Sequence, residues 1–151
     1  MIEIIQVDHI GIRVMDPQRA IDFYKLLGFE VFSEVEYDDV IIIKNNQGVE
    51  INLITNGDDA NENKNILMDV DKKYPGYTHV ALRVDSIKDA IERLEQRSIR
   101  ISQGPVTFGD GHVSVFIRDP DRNVIELRGR DQDMTALEGV TFYEPAHKHL
   151  R

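Results

Sequence analysis

The sequence contains no cysteine. That removes disulfide frameworks, thiolate nucleophiles and cysteine-ligated zinc, and it fits a reducing compartment. No apolar run approaches the ~20 residues that a membrane-spanning helix needs. The opening MIEIIQVDHIGI lacks a basic segment and carries Glu3 and Asp8, so it does not read as a secretory signal, and the expected location is the cytoplasm. Basic residues are in deficit: 18 Lys and Arg against 27 Asp and Glu give a formal net charge of −9. That balance argues against nucleic acid, whose binding is driven by cations on phosphate, and against an anionic membrane surface. What is present, 41% hydrophobic and 30% charged residues over 151 positions, suits one soluble domain or two small units sharing a core.

Read in order, Ile4 to Val14 alternates like a half-buried strand, with Ile10, Ile12 and Val14 on one face and His9, Gly11 and Arg13 on the other. Asp16-Pro17 then starts a helix, Asp as N-cap and Pro at the first helical position. Ala20, Ile21, Phe23, Tyr24 and Leu27 recur at helical spacing, and Gly28 ends the helix. Phe29 to Glu36, Val40 to Lys44 and Val49 to Ile54 read as strands, the last two joined by the turn Asn45-Asn46-Gln47-Gly48. Residues 55–76 are polar and weakly periodic, a linker with a short helical turn expected at Ile66 to Val70.

From Tyr77 the pattern begins again. His79, Arg83, Val84, Ala90 and Ile91 stand 70 positions after His9, Arg13, Val14, Ala20 and Ile21. Further on the offset is 74, matching Ile117, Arg118, Asp119, Ile125 and Leu127 to Ile43, Lys44, Asn45, Ile51 and Leu53. A four-residue insertion in a Gly-rich loop around Gly104-Pro105 and Gly109-Asp110-Gly111 accounts for the change. The helix Ser86 to Gln96 buries Ile87, Ala90, Ile91 and Leu94. The expected fold is therefore α+β, a duplicated β-α-β-β-β unit. The chain is expected to form a single domain built of module 4–54, linker 55–76, module 77–129 and an extension 130–151. In the extension Leu137, Val140, Phe142 and Tyr143 would dock on the body or on a second subunit, and His147, Lys148, His149 and Arg151 read as a solvated tail.

The repeat carries the chemistry. Each first strand holds a histidine, His9 or His79, and each last strand holds a polar residue between apolar neighbours, Asn52 or Glu126. A carboxylate in an apolar strand costs free energy unless it is solvated, paired or metal-bound. A lone histidine in a strand is most often structural; the matched positions are what single these out. If helices cover the Ile and Leu faces, all four share the opposite, concave face. Two imidazoles and a carboxylate with open coordination positions suit a catalytic divalent ion, iron(II), manganese(II), nickel(II) or zinc(II). Arg13 and Arg83 lie on the histidine face, as pocket residues for an anionic substrate or as partners of local acids.

Asp8-His9-Ile10-Gly11-Ile12-Arg13-Val14, with Ala20 through Phe29 after it, resembles the opening of the vicinal oxygen chelate superfamily. That superfamily groups glyoxalase I, extradiol dioxygenases, methylmalonyl-CoA epimerase, fosfomycin-resistance enzymes and bleomycin-resistance proteins. Thr78 through Val84, and Asp119-Pro120-Asp121-Arg122-Asn123-Val124-Ile125-Glu126-Leu127, are similar to its second-half motifs. The resemblance spans about residues 4–129 and implies paired modules whose curved sheets enclose a metal-binding cup. His9, His79 and Glu126 would be the metal ligands.

Two departures bear on the reaction. Glyoxalase I and the epimerase resemble this chain but have Glu where Asn52 stands; an amide offers a carbonyl oxygen but takes no proton at neutral pH. Two-base proton transfer is disfavoured, with Asn52 or, two residues earlier, Glu50 as a candidate fourth ligand. The extradiol dioxygenases typically carry a Tyr where this chain has Phe116, which disfavours catechol cleavage. His112 is a candidate acid or base, and Arg122, where the family usually has Gly, suggests a turn variant. The expectation is a metalloenzyme, lyase, isomerase or oxygenase, acting on a small substrate with vicinal oxygens, and a homodimer. The alternative is a metal-free, bleomycin-resistance-type binding protein.

Overall fold

The computed structural model describes residues 1–35, 39–58, 63–130 and 139–143. The chain packs as two units, Met1–Thr78 with the turn Asp119–Asn123, and His79–Arg118 with the described chain from Val124 onward.

In the first unit the order is β1 (Ile10–Arg13), α1 (Pro17–Leu26), β2 (Phe29–Val35), β3 (Val40–Asn45) and β4 (Glu50–Ile54). They form one sheet in the order β1-β4-β3-β2, with β1 parallel to β4 and the other pairs antiparallel. Helix α1 starts where expected: Asp16 Oδ1 accepts a hydrogen bond from Arg19 N at 3.0 Å, and Pro17 needs no partner there. Gly28, at φ +91°, ends it in a conformation that costs other residues more. Ala20, Ile21 and Tyr24 of α1 are buried with Ile43, Ile51 and Leu53 of the sheet.

The second unit runs β5 (Val80–Arg83), α2 (Ile87–Gln96), β6 (Ile101–Thr107), β7 (His112–Arg118), β8 (Val124–Arg130) and β9 (Thr141–Phe142). Its sheet order is β5-β8-β7-β6-β9, again with the first strand parallel to the last long one. Ser86 caps α2 by accepting from Asp89 N at 3.1 Å. Ile87 and Leu94 are buried with Val113, Val115, Ile117, Ile125 and Leu127, while Ala90 and Ile91 are only half-buried. The fold is thus α+β with β-α-β-β-β run twice. Registers repeat as well: Gly11 pairs with Asn52 as Ala81 pairs with Glu126, and Ile42 with Asn52 as Phe116 with Glu126.

Two expectations need correction. Strand β1 begins at Ile10, not Ile4, because its partner β4 begins only at Glu50 and the chain before that is a turn. Ile4, Ile5 and Val7 are consequently 78–91% exposed. Gly104-Pro105, joined by a cis peptide bond, is not in a loop but inside β6, at an irregularity between Gln103 and Val106. The four extra residues are split: Val35↔Val40 has as counterpart Val106↔Ser114, so one sits in this bulge and three in the longer hairpin. Gly104, at φ +101°, is required there, since a Cβ would lie 2.6 Å from the Ser114 carbonyl oxygen. The last long strand runs to Arg130, and Phe142 and Tyr143 of the extension dock on the body, one of the two places expected for them. Thr141 and Phe142 pair with β6, Tyr143 N donates to Thr107 O at 3.0 Å, and its ring lies 5.0 Å from that of Phe108. Leu137 and the histidines at 147 and 149, with Lys148 and Arg151, lie outside the described residues.

Candidate functional site

Strand parity decides what surrounds Glu126. Ile125 and Leu127 point to the α2 side and are buried there; Glu126 and Arg128 share the other face. On β7, paired alongside, that face carries His112, Ser114, Phe116 and Arg118. On β5 it carries Ala81 opposite Glu126, with His79 two residues before it. Glu126 is only 5% exposed, yet its carboxylate is well partnered. Ser114 Oγ donates to Oε1 at 2.5 Å, and His79 Nε2 lies 3.1 Å from Oε2. Arg128 Nη1 is 3.7 Å from Oε1 and 3.4 Å from Ser114 Oγ. Its Nη2 is held by Asp110 Oδ2. The Phe116 ring and the His79 imidazole meet in a T-shaped arrangement, centroids 5.7 Å apart. His112 lies two positions from Ser114 on the same face, its Nδ1 3.1 Å from the Asp110 carbonyl oxygen.

On the equivalent face of the first unit the immediate neighbours of Asn52 are apolar. Around Asn52 stand Gly11 on β1, Ile42 and Val40 on β3, and Ile54 on β4. Asn52 Oδ1 is buried and accepts no hydrogen bond. Such an orphan acceptor costs about 1–3 kcal/mol unless something donates to it or binds it. His9 precedes β1 and is exposed, its Nδ1 2.8 Å from Asp8 Oδ2. Glu50 forms a 2.8 Å ion pair with its cross-strand neighbour Lys44. Arg13 Nε donates to Asn56 Oδ1 at 3.1 Å rather than to an acid, and Arg83 is exposed at the end of β5, opposite Arg128 in register.

Of the residues singled out from sequence, the structure brings together His79, Glu126 and Phe116, with His112 along the same strand face. His9, Asn52, Glu50 and Arg13 belong to the first unit. No group of three or more His, Cys, Asp or Glu gathers among the described residues. Within the second unit the donor chemistry suits a divalent ion, an imidazole nitrogen and a carboxylate oxygen converging at His79 and Glu126. Sequence reasoning missed Ser114, Arg128 and Asp110. The period-2 rule alone picks out Arg128, two residues beyond Glu126.

The turn leading to β8 is more than a turn. Asp119 Oδ1 accepts from Asp121 N and Asn123 N at 2.9 and 2.8 Å, and Oδ2 from Asn123 Nδ2 and the Tyr24 hydroxyl at 2.9 and 3.0 Å. Burial raises the Asp119 carboxyl above the usual carboxylate range, against the hydrogen bonds from Asn123 and Tyr24 that pull it down. Burial, then the Asp119 charge, pushes the Tyr24 phenol well above its ordinary value. Arg19 pairs with Asp121 at 2.7 Å. Arg122, at φ +64°, forks onto Asp69 with Nε 2.7 Å and Nη2 3.3 Å from its oxygens. Asn65 Nδ2 donates to Arg122 O at 3.2 Å, and Asp69 N to Asn65 O at 2.7 Å closes the single helical turn expected in the linker.

A family model described as Glyoxalase/Bleomycin resistance protein/Dioxygenase superfamily matches residues 6–127. The lactoylglutathione lyase of Escherichia coli O157:H7 is 33% identical over 129 residues, covering 79% of this chain and 88% of that protein. A glyoxalase domain-containing protein of Mycosarcoma maydis is 33% identical over 125 residues; the match spans 80% of this chain and 66% of that longer protein. The crystal structure of a glyoxalase/dioxygenase from Nostoc punctiforme shares the fold, with a TM-score of 0.63 at 24% identity, covering 83% of this chain and 90% of that one.

Proposed function

The chain belongs to the glyoxalase/bleomycin resistance protein/dioxygenase superfamily, and on that premise we propose that it is a divalent-metal enzyme acting on a small molecule with two adjacent oxygens. The observation that carries the reading is the pair His79 Nε2 and Glu126 Oε2, 3.1 Å apart, at positions that His9 and Asn52 match in the first module's sequence. His9, His79 and Glu126 would hold the ion, with Asn52 Oδ1 as a fourth donor. A bound cation would supply Lewis acidity and open positions for the substrate oxygens.

The protein's own groups then divide the remaining work. Glu126 is the one carboxylate on these matched positions able to take a proton, since Asn52 cannot. One-base isomerase or lyase chemistry, or oxygen-dependent cleavage, is therefore favoured over two-base transfer. His112 is the candidate second acid or base, and Phe116 packs an apolar wall against His79. Glu50 pairs with Lys44, which makes it a weaker candidate for fourth donor than Asn52. Arg83 and Arg13 are exposed cations for an anionic part of the substrate. The proposal includes a single cytoplasmic domain acting as a homodimer, with the bared Ile4, Ile5 and Val7 as candidate contact surface; sedimentation at micromolar concentration checks the latter.

Elemental analysis of protein purified without a chelating tag tests the reading. Near one equivalent of iron, manganese, nickel or zinc is expected, lost in His79→Ala. Unchanged stoichiometry in that variant sinks the assignment. A second reading has its own observation. The apolar surround of Asn52, with Glu126 already partnered by Ser114 and His79, suits a metal-free protein that sequesters an apolar ligand. Absence of metal after reconstitution favours it.

A further inference from the structure

The Glu126 carboxylate has two unlike oxygens. Oε2 faces His79 Nε2 at 3.1 Å, whereas Oε1 receives the Ser114 hydroxyl at 2.5 Å and lies 3.7 Å from Arg128 Nη1. The direction of the serine bond is fixed by its other neighbour. A guanidinium only donates, so Arg128 Nη1, 3.4 Å away, takes a lone pair of Ser114 Oγ and leaves the hydroxyl proton for Glu126. Arg128 is in turn anchored by Asp110. Ser114 itself is fully buried, and Gly104 lets β6 close against its backbone, so its side chain has little freedom.

We infer that Ser114 is a positioning residue that occupies Glu126 Oε1 and so presents the carboxylate as a one-oxygen ligand, Oε2 alone, beside His79. The inference rests on the metal reading above and adds why Oε2 rather than Oε1 would be offered to an ion. Ligand groups are commonly oriented by hydrogen bonds from residues behind them, and loss of such a partner typically weakens metal binding about 10–100-fold. Without the hydroxyl the carboxylate is free to rotate and to offer both oxygens, a mode that suits larger, less directional cations.

The test uses the full-length protein stripped of metal. Manganese(II) dissociation constants, from the electron paramagnetic resonance signal of free ion, and the visible spectrum of the cobalt(II) form are compared for wild type, Ser114→Ala and Ser102→Ala, an exposed control. The expected result is binding weakened about tenfold or more in Ser114→Ala. Its cobalt spectrum should be altered, Ser102→Ala unchanged and circular dichroism native. Equal affinity in Ser114→Ala overturns the inference, as does weaker binding with a superposable cobalt spectrum, which marks a merely structural loss. Ser114→Cys, near in size but a weaker donor, gives the same reading should the alanine variant unfold. A wild-type protein that binds neither ion overturns the metal reading itself, and the inference with it.

Discussion

After β3, Asn45 accepts from Gln47 N and Val49 N at 3.1 and 2.9 Å; seventy-four positions later Asp119 accepts from Asp121 N and Asn123 N at 2.9 and 2.8 Å. Asp16 caps α1 as Ser86 caps α2, and Gly48 and Arg122 both adopt positive φ, +82° and +64°. Backbone geometry is thus held in common by the two modules. The faces opposite the helices are not. Where the second module has Ser114, Phe116, Glu126 and Arg128, the first has Val40, Ile42, Asn52 and Ile54 at the same registers. A buried carboxylate survives only where its strand neighbours supply donors. The module lacking those neighbours carries a neutral amide instead. The second module surrounds its buried carboxylate with polar partners, whereas the first surrounds a neutral amide with apolar neighbours and leaves its oxygen unsatisfied, its Lys44–Glu50 ion pair lying one step further along the strands.

The largest break of this asymmetry is Glu126→Gln set against Asn52→Ala. Under the metal reading, Glu126→Gln should weaken metal binding by more than about 100-fold, beyond what loss of a supporting residue does. Asn52→Ala should weaken it by less than about tenfold. Equal losses by calorimetric titration would show that the two modules contribute alike. Next comes Asn52→Glu, which puts a carboxylate where no serine or arginine awaits it. In metal-free protein it should lower unfolding free energy by about 1–3 kcal/mol in urea titrations, and Val40→Ser added to it should recover part. A neutral Asn52→Glu would mean that strand neighbours do not decide where a charge is tolerated.

How much of this was legible beforehand follows from the same contrast. The constant offsets identified His79 and Glu126, because a duplicated backbone keeps side chains in register even where identities drift. The caps at Asp16 and Ser86 and the stop at Gly28 were local and equally readable. What failed depended on partners distant in sequence. Ile4 to His9 alternates like a strand, but pairing stops where β4 stops. Gly104-Pro105 has turn composition, yet the Ser114 backbone beside it holds it in a bulged strand. Ser114 is a small residue among valines and carries no signal until its cross-strand neighbours are known. Arg122 looked like a turn variant; its fork to Asp69, 53 residues earlier, is a tertiary fact.

Arg122 gives a smaller effect that sharpens the comparison with Gly48. A non-glycine residue in the left-handed region costs about 1–2 kcal/mol, and a half-exposed ion pair returns about 0–1 kcal/mol. Arg122→Gly, which restores the first module's residue, should therefore leave thermal stability within about 1 kcal/mol of wild type. Arg122→Ala keeps the strain and loses the fork, and should melt below both. Identical melting of the two variants would mean that Arg122 carries no backbone strain.

Smallest of all at neutral pH is Asp119→Asn, which gives the second turn the first turn's side chain. The Oδ1 acceptor for Asp121 N and Asn123 N is retained, as Asn45 shows it can be. The amide loses the Oδ2 acceptor for Asn123 Nδ2 and the Tyr24 hydroxyl, which can turn to accept from the new amide N–H, and it also removes a desolvated charge, so the net change should be about 1 kcal/mol or less. The pH dependence is the sharper readout. Burial raises the Asp119 carboxyl in the folded protein above its value in the unfolded chain. Between those two values the folded state holds the proton more often, so this group's stabilisation is complete below the unfolded value and is lost as pH rises through the folded one. Wild type should therefore lose stability relative to Asp119→Asn as pH rises from the ordinary carboxylate value through the raised one, with parallel profiles above it. Parallel profiles throughout would place the titration of Asp119 at its ordinary value, with the hydrogen bonds from Tyr24 and Asn123 offsetting its burial in full.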